Sequence, residues 1–124
     1  MKQNPITKLI NSFKYAFVGF KETFKAEQNM RIHTMLAILV IILGLIFKIT
    51  WIEWKFLIFA IAMVFSAEII NTSIENVVDL VTLEKQEKAR IAKDTSAAFV
   101  LILSIAAAAI GLIVFIPYII EWLG

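Results

Sequence analysis

Apolar residues recur at three- and four-residue steps through the first segment: Ile6, Leu9, Ile10, Phe13, Phe17, Phe20 and Phe24. On a helix these positions share one face. Lysines occupy much of the remaining surface, so residues 1–31 are predicted to form an amphipathic surface helix. Such a helix lies in the headgroup plane, with aromatics buried and lysines against anionic lipid. Packing of its apolar stripe on the rest of the protein is the less favoured arrangement. The next apolar run, 32–47, is predicted as a first membrane span. It is short for a hydrocarbon layer of about 30 Å, so it should take a further turn from residues 29–31. Residues 48–55 form a compact connection carrying Trp51 and Trp54, which with Trp122 read as interfacial aromatic anchors. A second span, 55–83, is apolar in its first half and interrupted by polar groups in its second. At ~1.5 Å per residue it outruns the hydrocarbon, so its C-terminal part is expected in the opposite interface. A densely charged connection follows, and 95–120 makes a third span without a charged residue. The pattern predicts one all-α membrane domain over 1–124, a three-helix transmembrane bundle preceded by a surface helix.

Composition strengthens this picture. The 124-residue chain is 60% hydrophobic and 18% charged, whereas soluble domains carry about 45–50% and about 25%. Four glycines and two prolines leave long uninterrupted segments, which favours helices over a membrane barrel. Cysteine is absent, which excludes disulfide and thiolate chemistry. No small-residue cleavage site follows a short apolar core, so the N-terminal segment is expected to be retained. Basic residues set the topology. Lys2, Lys8, Lys14, Lys21, Lys25 and Arg31 precede the first span, and Lys85, Lys88, Arg90 and Lys93 lie between the second and third. Lys48 and Lys55 stand alone on the other side. The positive-inside rule then puts both basic regions, and the polar half of the second span, at the cytoplasmic face of the cell membrane. No nucleic-acid partner is expected. In the third span Ser104, Ala106 to Ala109 and Gly111 permit close helix approach, with Ala107 and Gly111 four residues apart. Three spans make a thin bundle for so many polar groups, so a homo-oligomer is expected.

The chemistry is concentrated in the second span. Glu68, Asn71, Glu75 and Asp79 are spaced three, four and four residues apart. At ~100° per residue they fall within about 80° of arc, one stripe running from the hydrocarbon to the surface. A charged side chain at the membrane centre costs ~2.5–3.5 kcal/mol even on the most lenient scale, so three carboxylates on one face point to function. Two chemistries use such a stripe. Proton or cation transport needs a polar path across the membrane, yet residues 56–67 carry no charge and only Ser66 is polar, and between Ala97 and Pro117 the third span offers only Ser104. Phosphoryl transfer needs one carboxylate to accept a hydroxyl proton and others to hold Mg²⁺ on a nucleotide. Glu27 adds an oxygen ligand at interface level, and Lys93 and Asp94 begin the third helix, where a cation could meet phosphates. The four glycines are scattered and form no phosphate-cradling loop, so metal and side chains would have to hold the phosphates. A non-enzymatic transporter or assembly protein, whose stripe merely cements an oligomer, is the alternative of a different class.

The run AEIINTSIENVVDL (67–80), followed by ARIAKDTSAA (89–98), closely resembles the bacterial diacylglycerol kinase / undecaprenol kinase family. The resemblance covers nearly the whole chain. It implies a homotrimer of three-helix subunits with sites shared between neighbours, ATP as co-substrate, Mg²⁺, and a lipid alcohol as acceptor. It makes Glu68 the general base and Asn71 the group that orients Glu68 and the acceptor. Glu75 and Glu27 would bind the metal on ATP. Tyr15, Lys93, Asp94 and the stretch Glu84, Lys85, Gln86 match nucleotide-contacting residues, and Lys8 stands where better-known members have an arginine. The segment FKYAFVGFKETFKAEQNMRIH (13–33) is similar to the Gram-positive branch, which implies undecaprenol as acceptor, with diacylglycerol the alternative. His33 is read as an interfacial hydrogen-bonded residue without a catalytic part. Met35 and Met63 are read as packing residues. Asp79 is assigned either to a helix end or to the charged connection.

Overall fold

The computed structural model describes residues 4–124; Lys2 and the first three positions of the predicted surface helix lie outside the described residues. Four helices follow in order: α1 (Pro5–Ala26), α2 (Gln28–Phe47), α3 (Trp51–Val81) and α4 (Glu87–Leu123). Asn4 starts α1 by accepting the Ile6 N–H on its side chain at 3.1 Å, with Pro5 in the first helical turn. The helix stops at Glu27, whose backbone is extended (φ −100°, ψ 121°). Arg31 fixes that stop. Its Nη1 donates to the Lys25 carbonyl at 2.8 Å and reaches the Phe24 carbonyl at 3.4 Å, capping the carbonyls that α1 leaves free. α2 therefore begins earlier than its apolar run and, with 20 residues, is roughly 30 Å long, enough for a bilayer core.

α3 also begins earlier than its apolar run. Thr50 and Glu53 form a capping box: the Glu53 N–H donates to Thr50 Oγ1, and the Thr50 N–H donates to Glu53 Oε2. With 31 residues α3 is roughly 46 Å long, and its C-terminal turns project beyond a hydrocarbon layer. α4 starts inside the charged connection, at Glu87, so that connection shrinks to a five-residue link (82–86) and an extramembrane helical overhang. Helices α2, α3 and α4 are each long and apolar enough to cross a membrane.

α3 and α4 pack along each other most extensively, α2 lies against α3, and α1 touches both α2 and α3. At the end opposite the polar stripe, Ile49, Leu57, Val114 and Phe115 form a buried cluster. Phe47 stacks on Tyr118 there, with ring centroids 5.9 Å apart. The Tyr118 hydroxyl donates to Glu53 Oε2 at 2.7 Å, tying α4 to the start of α3. Trp54 packs against this cluster, while Trp51 and Trp122 remain exposed. The reason is Gly44. A Cβ on that residue would lie 2.7 Å from Trp54 Cη2 and 3.1 Å from Ile49 Cδ1, so only glycine lets the indole come this close. Gly44→Ala is therefore expected to cost about 1–3 kcal/mol, seen as a lower midpoint in thermal unfolding in detergent.

The two expected packing methionines divide. Met63 is half-buried, whereas Met35 is exposed on α2; the fully buried methionine is Met30. Phe20 of α1 meets Phe65 of α3, ring centroids 6.1 Å apart, so part of the apolar stripe of α1 packs on the bundle while Phe13 and Phe17 stay exposed. A cavity of about 440 Å³ opens between α2, α3 and α4, lined by residues that include Ala37, Ala60, Ala107 and Gly111. A Cβ added at Gly111 would meet nothing within 4 Å, so the helix does not need this glycine for a close contact inside the chain.

Candidate active site

Glu68 lies past the middle of α3 and is 1% exposed. Across the gap to α2, His33 Nε2 stands 3.1 Å from its Oε1, without the alignment of a hydrogen bond. Neither carboxylate oxygen has a hydrogen-bond partner among the described residues. Thr72 adds no partner either, because its hydroxyl turns back to the Glu68 carbonyl at 2.9 Å.

One turn further along α3, three polar side chains join in a chain. Ser96 of α4 is 2.6 Å from Asn71 Oδ1 and donates to it, with the Lys93 carbonyl at 2.9 Å as its other acceptor. Asn71 Nδ2 donates to Glu75 Oε1 at 3.1 Å. A carboxylate only accepts, so the amide nitrogen must face Glu75 and its oxygen must face Ser96. Both Asn71 and Ser96 are buried. Among the described residues Asn71 makes no hydrogen bond to Glu68: Ser96 fixes its amide towards Glu75, four residues along the same face, and His33 Nε2 is the group 3.1 Å from Glu68 Oε1.

At the exposed end of the stripe, Asp79 bridges to α4, its Oδ1 2.6 Å from Lys93 Nζ. Asp79 thus bonds to the charged region rather than to its own helix end. Arg90 pairs with Glu87 and with Asp94, both at 2.6 Å. Such exposed pairs are each worth about 0–1 kcal/mol, so a ligand can displace them at little cost. A second cavity, of about 380 Å³, lies under the 82–86 link and brings together Asp79, Glu84, Lys85, Gln86, Arg90 and Lys93. Asp94 does not line it. Lys8 and Tyr15 are exposed on α1, and their side chains make no hydrogen bond or ion pair among the described residues.

Glu27 is half-buried at the break between α1 and α2, and both it and Glu75 lie within electrostatic range of Glu68. Among the described residues no three His, Asp or Glu side chains converge as a complete metal cage. Mg²⁺ does not require such a cage, since it usually takes one or two protein carboxylates and fills its other positions with phosphate and water. Sequence reasoning missed Ser96, which bonds to α3 from another helix; the short motif KDTS (93–96) is the one local signal for it.

The sequence model of prokaryotic diacylglycerol kinases matches residues 14–115. An undecaprenol kinase of Bacillus subtilis is 35% identical over 115 residues, 93% of this chain and 94% of that protein. A diacylglycerol kinase of Synechocystis is 36% identical over 110 residues, 88% of this chain and 63% of that longer protein. A diacylglycerol kinase of Haemophilus influenzae is 37% identical over 101 residues, 82% of this chain and 86% of that one. On a match that runs from α1 well into α4 and takes in the whole polar stripe, the chain belongs to the prokaryotic diacylglycerol kinase family of lipid kinases.

Proposed function

We propose that this chain transfers the γ-phosphoryl group of ATP to the hydroxyl of a membrane lipid alcohol, with undecaprenol as the preferred acceptor. The observation that carries this reading is Glu68, buried to 1% exposure with neither oxygen hydrogen-bonded among the described residues. An unpartnered carboxylate is costly in an apolar setting. An acceptor hydroxyl supplies the missing donor. Glu68 then takes the hydroxyl proton as the lipid oxygen bonds to the γ-phosphorus and the bond to ADP breaks.

Glu27 and Glu75 are the residues that would hold Mg²⁺, which when bound neutralises charge on the phosphates. Asn71, locked by Ser96, keeps Glu75 aimed. Asn71 also sits one turn from Glu68, where it can contact the acceptor. Lys93, Asp94 and the Glu84, Lys85, Gln86 stretch contact the nucleotide, with Lys93 leaving Asp79 for phosphate. Lys8 and Tyr15 project from α1 and would close over the nucleotide. The apolar cavity between α2, α3 and α4 suits a hydrocarbon chain whose hydroxyl end emerges beside His33, one of its lining residues. The excess of basic residues before α2 and between α3 and α4 supports a site on the cytoplasmic face. The exposed Ala106 and Ala109 of α4, outside the apolar cavity, support a homotrimer with sites completed by neighbours.

Undecaprenol is favoured by the near end-to-end match to the Bacillus protein. Diacylglycerol is the second reading, supported by the two relatives named for it. Offering both lipids together in mixed micelles with γ-labelled ATP tests the choice. The expected result is a kcat/KM at least about tenfold higher for undecaprenol, a difference of about 1.4 kcal/mol. Predominant labelled phosphatidic acid would move the assignment to diacylglycerol.

A further inference from the structure

Glu68 has a base's exposure problem: a long side chain, almost wholly buried, with no hydrogen bond to hold its carboxylate in one orientation. A polar group from another helix stands against it. His33 Nε2 is 3.1 Å from Oε1, contributed by α2, while Glu27 and Glu75 are carboxylates that repel it. His33 is itself mostly enclosed, with 19% side-chain exposure, and it lines the apolar cavity. The ring thus lies both at the cavity wall and against the Oε1 side of the carboxylate. Oε2 is left for another donor.

We propose that His33 is a positioning residue for Glu68: its Nε2–H holds Oε1, so that Oε2 faces the acceptor hydroxyl as it leaves the apolar cavity. The inference rests on the reading of Glu68 as the base. The 3.1 Å contact lacks hydrogen-bond alignment, and catalytic hydrogen bonds are often long or poorly aligned until the reacting complex tightens them. A neutral donor suffices for this role, since the task is orientation. The alternative, that His33 is an interfacial residue satisfied by water or headgroups, gives Nε2 no reason to face a buried carboxylate.

His33 is the only histidine in the chain, so ¹⁵N-histidine labelling gives a single imidazole in the full-length oligomer. Two measurements test the proposal. In the first, the Nε2 resonance of the wild type is expected to show a directly bonded proton and to shift on Glu68→Gln. An Nε2 resonance that does not respond to Glu68→Gln would overturn the contact. The second is kinetic. His33→Leu is expected to lower kcat about 10- to 100-fold, as loss of an outer-shell partner commonly does, with KM for Mg-ATP unchanged. His33→Gln, which keeps an N–H donor, is expected to recover most of the loss. Full kcat in a folded His33→Leu oligomer, or equal losses in Leu and Gln variants, would overturn it. Failure of the base reading is distinguishable, because there Glu68→Gln itself retains activity; a dead Glu68→Gln beside a fully active His33→Leu sinks this inference alone.

Discussion

Glu68→Gln is expected to lower kcat by about 10²- to 10⁴-fold, the usual contribution of a positioned base, while KM for Mg-ATP stays close to that of the wild type. The same substitution is expected to leave the oligomer as stable as before, or to stabilise it. Glu68 is almost fully buried and accepts no hydrogen bond, so the folded protein bears the cost of desolvating its carboxylate. A neutral amide of the same shape removes the charge. Loss of activity together with unchanged or higher resistance to thermal unfolding is the signature of a group kept for chemistry at the expense of stability. A structural carboxylate behaves in the opposite way, and a markedly destabilised Glu68→Gln protein would count against the catalytic role.

Asn71→Ala is expected to have the second largest effect, and it should reach both stability and turnover. Removing the amide leaves Glu75 Oε1 without its 3.1 Å donor and takes away one of the two acceptors of the buried Ser96 hydroxyl. Unsatisfied buried groups cost about 1–3 kcal/mol each. The Ser96 hydroxyl retains the Lys93 carbonyl, so the stability loss should lie towards the lower end of that range. With Glu75 no longer held, KM for Mg-ATP should rise, a change that Glu68→Gln does not produce. Ser96→Ala should show the same pattern in weaker form, because Asn71 keeps its bond to Glu75 but loses the contact that fixes its orientation. Steady-state kinetics with variable Mg-ATP, run beside thermal unfolding, separates the three variants. An Asn71→Ala protein with normal nucleotide affinity would remove Glu75 orientation from its role.

The order and number of helices were legible because lipid imposes a simple pattern: three apolar runs long enough to span and one amphipathic segment before them. Their ends were less legible. α2 starts at Gln28 because Arg31 caps α1, an interaction between two helices that a hydropathy profile does not register. α4 starts at Glu87 in a stretch so charged that no apolar periodicity marks it as helical, although ion pairs three and four residues apart, from Arg90 to Glu87 and Asp94, run along that turn. Trp54 sits next to the predicted interface, yet Gly44 on another helix opens a place for it.

The candidate site divides along the same line. Glu68, Asn71, Glu75 and Asp79 share one face by the arithmetic of a single helix, and their alignment on α3 follows from spacing alone. What each of them touches depends on the register between helices, and a single sequence does not carry that register. Spacing therefore does not reveal that Asn71 bonds to Glu75 or that His33 of α2 lies 3.1 Å from Glu68. Lys8 and Tyr15 illustrate a further gap. Their proposed nucleotide contacts depend on where α1 lies over a bound nucleotide or a neighbouring subunit, and in the single chain they face outward.

The most direct test of the central claim is the fate of the γ-phosphoryl group. Purified oligomer in lipid micelles, supplied with γ-labelled ATP, magnesium and undecaprenol, should release ADP and accumulate labelled polyprenyl phosphate one for one. ADP formed without labelled lipid, or no turnover at all by a folded oligomer, would contradict it.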